Sequence, residues 1–224
     1  MNSRALLQTL AHQRYVLMSL LAFMLALPAL AGRPGSRLFM TAILVLIVVT
    51  GPASLSTRRR DFMASICLAL LMWAGSWVAV VMESRTLHAA AALASTVFFG
   101  HLCFLIYSRH LFSDRTISRE TLYAATNAYL ALGLMFAFLF SAIEALSPGA
   151  FRGAVPQGSV EDIMNIFVYY SFVTLATLGY GDITPVIPLA MTLAYLEAVV
   201  GQLYVAMTVA RVVGIYGSQS RKPS

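Results

Sequence analysis

Charge is what this chain has least of. Only 11% of its 224 residues are Asp, Glu, Lys or Arg, against 59% hydrophobic residues, where a soluble domain carries roughly 25% charged residues. So little charge cannot cover a water-facing surface. Cysteine is nearly missing too. Cys67 and Cys103 both fall within apolar runs and lack metal-ligand spacing, so they read as small packed side chains, with a disulfide between them as the alternative. There is no Ser/His/Asp set, no metal cluster and no phosphate-binding loop, which argues against an enzyme and against a cofactor. The basic residues are scattered over loops without an aromatic platform, which argues against a nucleic-acid partner. Paired broken helices in repeated halves, the mark of many active transporters, are also missing.

What the chain does have is apolar runs. A bilayer core of roughly 30 Å takes about 20 helical residues to cross. Six stretches qualify, at 15–31, 38–55, 62–82, 89–108, 122–147 and 186–213. The first ends in Ala29-Leu30-Ala31, which resembles a signal-peptidase site. Its core is longer than the 7–15 residues or so usual for a signal sequence, which favours a span. Between the fifth and sixth stretches, residues 163–176 form a shorter apolar run. That run is too short to span and suits a re-entrant helix, buried in protein or lining a wet path. Residues 1–14 read as an interfacial or cytoplasmic helix capped by Ser3.

Lysine and arginine orient the chain. With the N-terminus inside, the inner loops hold Arg4, Arg14, Arg58, Arg59, Arg60, Arg109, Arg115, Arg119, Arg211, Arg221 and Lys222, against Arg33, Arg37, Arg85 and Arg152 outside. Both termini are then cytoplasmic and the re-entrant segment opens to the outer face. The basic turn Thr57–Asp61 reads as an anchor to anionic lipid headgroups.

The re-entrant run ends in Thr177-Leu178-Gly179-Tyr180-Gly181-Asp182. Glycine adopts backbone angles that other residues avoid, which lets successive carbonyls point the same way. The string resembles the selectivity filter of the potassium channel family, Thr-Val-Gly-Tyr-Gly, with Leu178 where valine is usual. The resemblance implies an all-α membrane protein. It would have six transmembrane helices, a re-entrant pore helix and a selectivity filter, assembled as a tetrameric channel. Residues 15–108 would be a four-helix sensor-like bundle, 109–121 a cytoplasmic linker, 122–214 the pore domain and 215–224 a short cytoplasmic tail. In the pore domain the pore helix is 163–176, the filter 177–182 and the inner helix 186–213.

The resemblance also assigns roles. K⁺ would bind the Thr177 hydroxyl and the carbonyls of Thr177, Leu178, Gly179 and Tyr180. Gly181 would permit the turn out of the filter, and Asp182 would sit at the outer mouth. Tyr169, Tyr170 and Thr174 would support the filter, the two tyrosines as an aromatic cuff that Tyr180 braces against. Some family members pair the aspartate with a pore-helix carboxylic acid, but Val173 stands at that position here. Gly201 lies at the place of a gating hinge, with close helix packing as the alternative. Gln202, Val205 and Val209 recur at helical spacing as cavity-lining residues. Glu197, acidic within a span, is expected to bond the back of the pore helix through Tyr169 or Asn165. Glu83, Glu144, Glu161, Asp162 and Asp182 would enrich cations at the outer mouth.

The partners implied are three further copies of the chain, membrane lipids and K⁺, in a plasma membrane of bacterial inner-membrane type. The fourth stretch, 89–108, contains no Lys or Arg, so voltage sensing should be weak or absent. His88 and His101 read as hydrogen-bonded membrane histidines, with a pH switch as the alternative.

Overall fold

The computed structural model describes residues 18, 20–22, 59–82, 84–108, 119–153, 155 and 160–219. The expected helix at 1–14, most of the first span, the second span at 38–55, residues 109–118 of the linker and residues 220–224 of the tail lie outside them.

Five helices and two short strands follow one another: α1 (Arg59–Val81), α2 (Arg85–Ile106), α3 (Arg119–Leu146), β1 (Phe151–Gly153), α4 (Val160–Leu175), β2 (Ile183–Pro185) and α5 (Pro188–Gln219). Local chemistry sets several of these limits. Ser84 is extended and its hydroxyl accepts the Leu87 amide, capping α2. Pro188 opens α5 where a missing N–H costs nothing. Asp61 lies in the first turn of α1, where the helix dipole favours an anion. Among the described residues, 85–106, 121–146 and 188–211 are long and apolar enough to cross a membrane, and 63–79 and 163–175 are shorter apolar helices. The chain is a multi-pass membrane protein.

Two apolar clusters organise the packing. Helix α1 packs on α2, and α2 on α3, in a cluster that includes Met72, Phe98, Phe99, Leu102, Leu134 and their neighbours. Phe99 stacks on Phe138 with ring centroids 5.5 Å apart. The second cluster joins α3 to α4 and the start of α5 through Phe136, Phe140, Phe151, Phe167 and Tyr170. Its rings meet mostly edge to face, at 4.8–6.5 Å for Phe140, Phe151, Phe167 and Tyr170, the arrangement aromatic quadrupoles prefer.

His88 and His101 are hydrogen-bonded within this packing. Ser65 donates its single proton to the Asp61 carbonyl at 2.8 Å. His101 Nε2, 3.1 Å from the same oxygen, is therefore the N–H donor of the pair. His88 Nε2 lies 3.1 Å from Ser141 Oγ. Cys67 and Cys103 are free thiols.

The purely α-helical expectation needs one correction. β1 and β2 pair antiparallel, with Phe151 opposite Pro185 and Gly153 opposite Ile183. This ribbon ties the chain leaving residues 177–182 to the loop after α3. Val186 N adds a bond to the Ala150 carbonyl at 2.8 Å. Gly153 has φ +114°, and a Cβ there would overlap the Asp182 carbonyl, so the two segments approach too closely for any side chain.

Candidate functional site: the segment between α4 and α5

Helix α4 ends at Leu175 and its last carbonyls turn back to hold the segment that follows. Ala176 N reaches Phe172 O at 3.0 Å and Thr177 N reaches Thr174 O at 2.9 Å. The Val173 carbonyl accepts Leu178 N at 2.9 Å and Gly179 N at 3.4 Å. Helix C-termini leave such carbonyls unpaired, so the helix end itself supplies the template for the loop.

Beyond it the backbone alternates. Thr177, Gly179 and Gly181 have φ of +59°, +53° and +78°, while Leu178 and Tyr180 do not have positive φ. In an extended strand successive carbonyls point to opposite sides. Residues that alternate left- and right-handed conformations instead turn successive carbonyls to one side. Glycine does this freely. Thr177 is β-branched, for which positive φ is a real outlier, worth about 1–3 kcal/mol of strain. All six residues from Thr177 to Asp182 are exposed in the single chain.

The expected supports divide their work. Tyr170 is buried in the aromatic cluster and its hydroxyl bonds the side chain of Thr174. Tyr169 faces the other way and donates its phenol proton to Asp182 Oδ2 at 2.7 Å. That bond chiefly pushes the Tyr169 phenol above its ordinary range. Asp182 Oδ1 accepts its neighbour's amide, Ile183 N, at 3.1 Å. An aromatic cuff around Tyr180 is not formed within one chain, because Tyr180 is 65% exposed. Asp182, without a carboxylic-acid partner at Val173, is instead held by a phenol four residues earlier. Glu144 also has a local duty. Its carboxylate accepts Gly149 N at 2.7 Å and Phe151 N at 3.1 Å, fixing the turn into β1.

Helix α5 passes beneath. Gly201 is buried against the end of α4, where a Cβ would overlap the Leu175 carbonyl oxygen and stand 2.9 Å from Leu175 Cδ1. Close packing accounts for this glycine. Next to it, Gln202 Nε2 donates to Thr177 Oγ1 at 3.1 Å. Val205 and Val209 are exposed further along. Tyr204 turns inward and donates to the Ala125 carbonyl at 2.6 Å, joining α5 to α3.

Glu197 bonds α4 as expected, but through neither Tyr169 nor Asn165. Its Oε1 meets Ser171 Oγ at 2.5 Å, and the same hydroxyl lies 2.7 Å from the Gly133 carbonyl. One serine proton cannot serve two acceptors. A neutral carboxyl donating to Ser171 accounts for both contacts, in a side chain with no exposure to solvent, while its Oε2 has no hydrogen-bond partner among the described residues. The triad links α3, α4 and α5. Sequence reasoning missed Ser171, although its place two residues after Tyr169 turns it away from the exposed face of α4.

Residues 129–217 match the family model for ion channels. That stretch holds α4, the alternating segment and all but the last two residues of α5. The chain is 36% identical over 86 residues to the inward rectifier potassium channel Kirbac3.1 of Paramagnetospirillum magnetotacticum, covering 37% of this chain and 25% of that protein. It is 26% identical over 129 residues to Protein LctB of Bacillus caldotenax, covering 56% of this chain and 94% of that one. The chain thus spans about a quarter of the length of the inward rectifier it matches. No solved structure matches significantly. These matches support an ion channel.

Proposed function

We propose that the chain is a subunit of a potassium-selective channel that conducts K⁺ passively. The observation that carries this reading is the alternating positive φ at Thr177, Gly179 and Gly181, on a segment templated by the end of α4. Four such segments around an axis would stack rings of carbonyl oxygens from Thr177, Leu178, Gly179 and Tyr180, with the Thr177 hydroxyls as the innermost ring. Those rings would replace the water lost by a dehydrated cation. The end of α4 would point its negative dipole toward the ion path. The likeness to a protein named as a potassium channel supports the choice of ion.

One segment cannot close a ring, so the reading requires a fourfold homotetramer. The burial of α5 supports it. Its apolar span is 17% buried within the chain, against 50% and 56% for the spans of α2 and α3. Lipid could cover the apolar part, but Gln202 and the polar backbone of the filter require a water-lined, protein-enclosed face. Arg85 opens α2, and neither lysine nor any other arginine follows in that helix, so voltage sensing is weak or absent in this reading. The excess of basic residues in the inner loops supports a plasma-membrane orientation with both termini cytoplasmic.

Gly179→Ala tests the filter. A Cβ at Gly179 meets nothing within 4 Å, yet φ is +53°, so alanine perturbs the backbone angle rather than the packing. Tetramers should still form, while K⁺-selective uptake into liposomes should be lost. Retained K⁺ selectivity in this variant refutes the assignment.

A further inference from the structure

We propose that Gln202 is a positioning residue for the innermost cation site. It holds the Thr177 hydroxyl in place from the inner helix, and the proposal rests on the channel reading above. Three observations meet here. Thr177 is the non-glycine residue with positive φ among the described residues, at +59°, a conformation a β-branched residue keeps only when its surroundings impose it. Gln202 Nε2 donates to its Oγ1 at 3.1 Å. Gly201, next to Gln202, brings α5 against the Leu175 carbonyl more closely than any side chain would allow, and this contact places the carboxamide within reach of a loop 25 residues away in sequence.

The chemistry follows from the lone pairs. A hydroxyl oxygen has two acceptor sites and one proton. With one site taken by the Gln202 N–H, the other remains for an alkali cation, and the oxygen can no longer swing to a different rotamer. In the tetramer four carboxamides would fix four hydroxyls in one ring at the inner end of the filter. The rings formed by the Leu178, Gly179 and Tyr180 carbonyls take no support from Gln202. The residue should therefore govern affinity at one end of the ion path and leave discrimination against Na⁺ largely to the other rings. A preorganised ligand loses less freedom on binding, so removing the tether weakens the site.

The test uses Gln202→Met, which keeps length and bulk and removes the donor, in full-length protein reconstituted in lipid bilayers. The half-saturating K⁺ concentration for conductance should rise about 5-fold, the scale of one net hydrogen bond, with the K⁺/Na⁺ reversal potential unchanged. Gln202→Met is then repeated in Thr177→Ser, which keeps the hydroxyl, and in Thr177→Ala, which lacks it. The rise should recur in the serine background and vanish in the alanine one. A wild-type protein without K⁺ selectivity refutes the channel reading itself. A K⁺-selective wild type refutes the positioning role if Gln202→Met leaves half-saturation unchanged, or raises it equally in all three backgrounds.

Discussion

Gly201→Ala separates a packing glycine from a hinge glycine. A Cβ at this position would overlap the Leu175 carbonyl oxygen and stand 2.9 Å from Leu175 Cδ1. The obstacle is mainly backbone, at the residue that ends α4, and that end also binds the Leu178 and Gly179 amides through Val173. The overlap is relieved only by moving α5 or the helix end on which residues 177–182 rest. Overpacking of this kind costs about 1–3 kcal/mol. Alanine returns about 1 kcal/mol through its better helix propensity. The net loss is about 1 kcal/mol per chain and about four times that in a fourfold assembly, enough to lower the melting temperature by several degrees.

Gly214→Ala is the matched control. It lies in the same helix, and a Cβ there meets nothing within 4 Å, so that variant should hold or raise the melting temperature. Thermal unfolding of both proteins in detergent, read by fluorescence-detected size exclusion, makes the comparison. A hinge without a packing role predicts that Gly201→Ala stabilises the helix as Gly214→Ala does. A melting temperature at or above wild type for Gly201→Ala refutes the packing argument.

Two other perturbations probe the supports. Tyr169→Phe removes the donor to Asp182 and should hasten the decay of current under steady voltage. In wild type the phenol value is raised, so the bond is fully present below the ordinary tyrosine value of about 10 and is lost only as pH rises through the raised value. Faster decay should therefore appear at strongly alkaline pH in wild type and at every pH in the variant, and identical decay in both proteins removes this role. Glu197→Gln keeps a donor for Ser171 and should leave thermal stability within about 1 kcal/mol of wild type, whereas Glu197→Ala opens a cavity, deletes the link between α3, α4 and α5, and should cost about 2–4 kcal/mol per chain. Equal melting of the glutamine and alanine variants contradicts the neutral-carboxyl triad.

The parts of α4, α5 and the segment between them that are legible in sequence are those set by local pattern. Residues 163–176 are apolar and too short to span, and α4 runs Val160–Leu175. The run at 186–213 appears as α5, begun by Pro188. Glycine spacing pointed to the alternating backbone because conformational freedom at positive φ belongs to residue type. The positive φ of Thr177 had no such signal: the contacts of Thr177 with the Thr174 carbonyl and with Gln202, 25 residues away, are not written in any local pattern.

Contacts between residues distant in sequence were out of reach. Ser171 meets Gly133 38 residues away and Glu197 26 residues away, and no period encodes either partner. β1 and β2 are three residues each, too short for alternation to register. The separate duties of Tyr169 and Tyr170 were readable and were overlooked. Neighbours on a helix point about 100° apart, so one can face the aromatic cluster while the other reaches Asp182.

The most direct measurement is the reversal potential of the purified protein in planar bilayers under opposed K⁺ and Na⁺ gradients. A working filter built on Thr177–Gly181 predicts a value close to the K⁺ equilibrium potential. A robust current reversing near zero contradicts it, and shows that the carbonyl rings do not select K⁺.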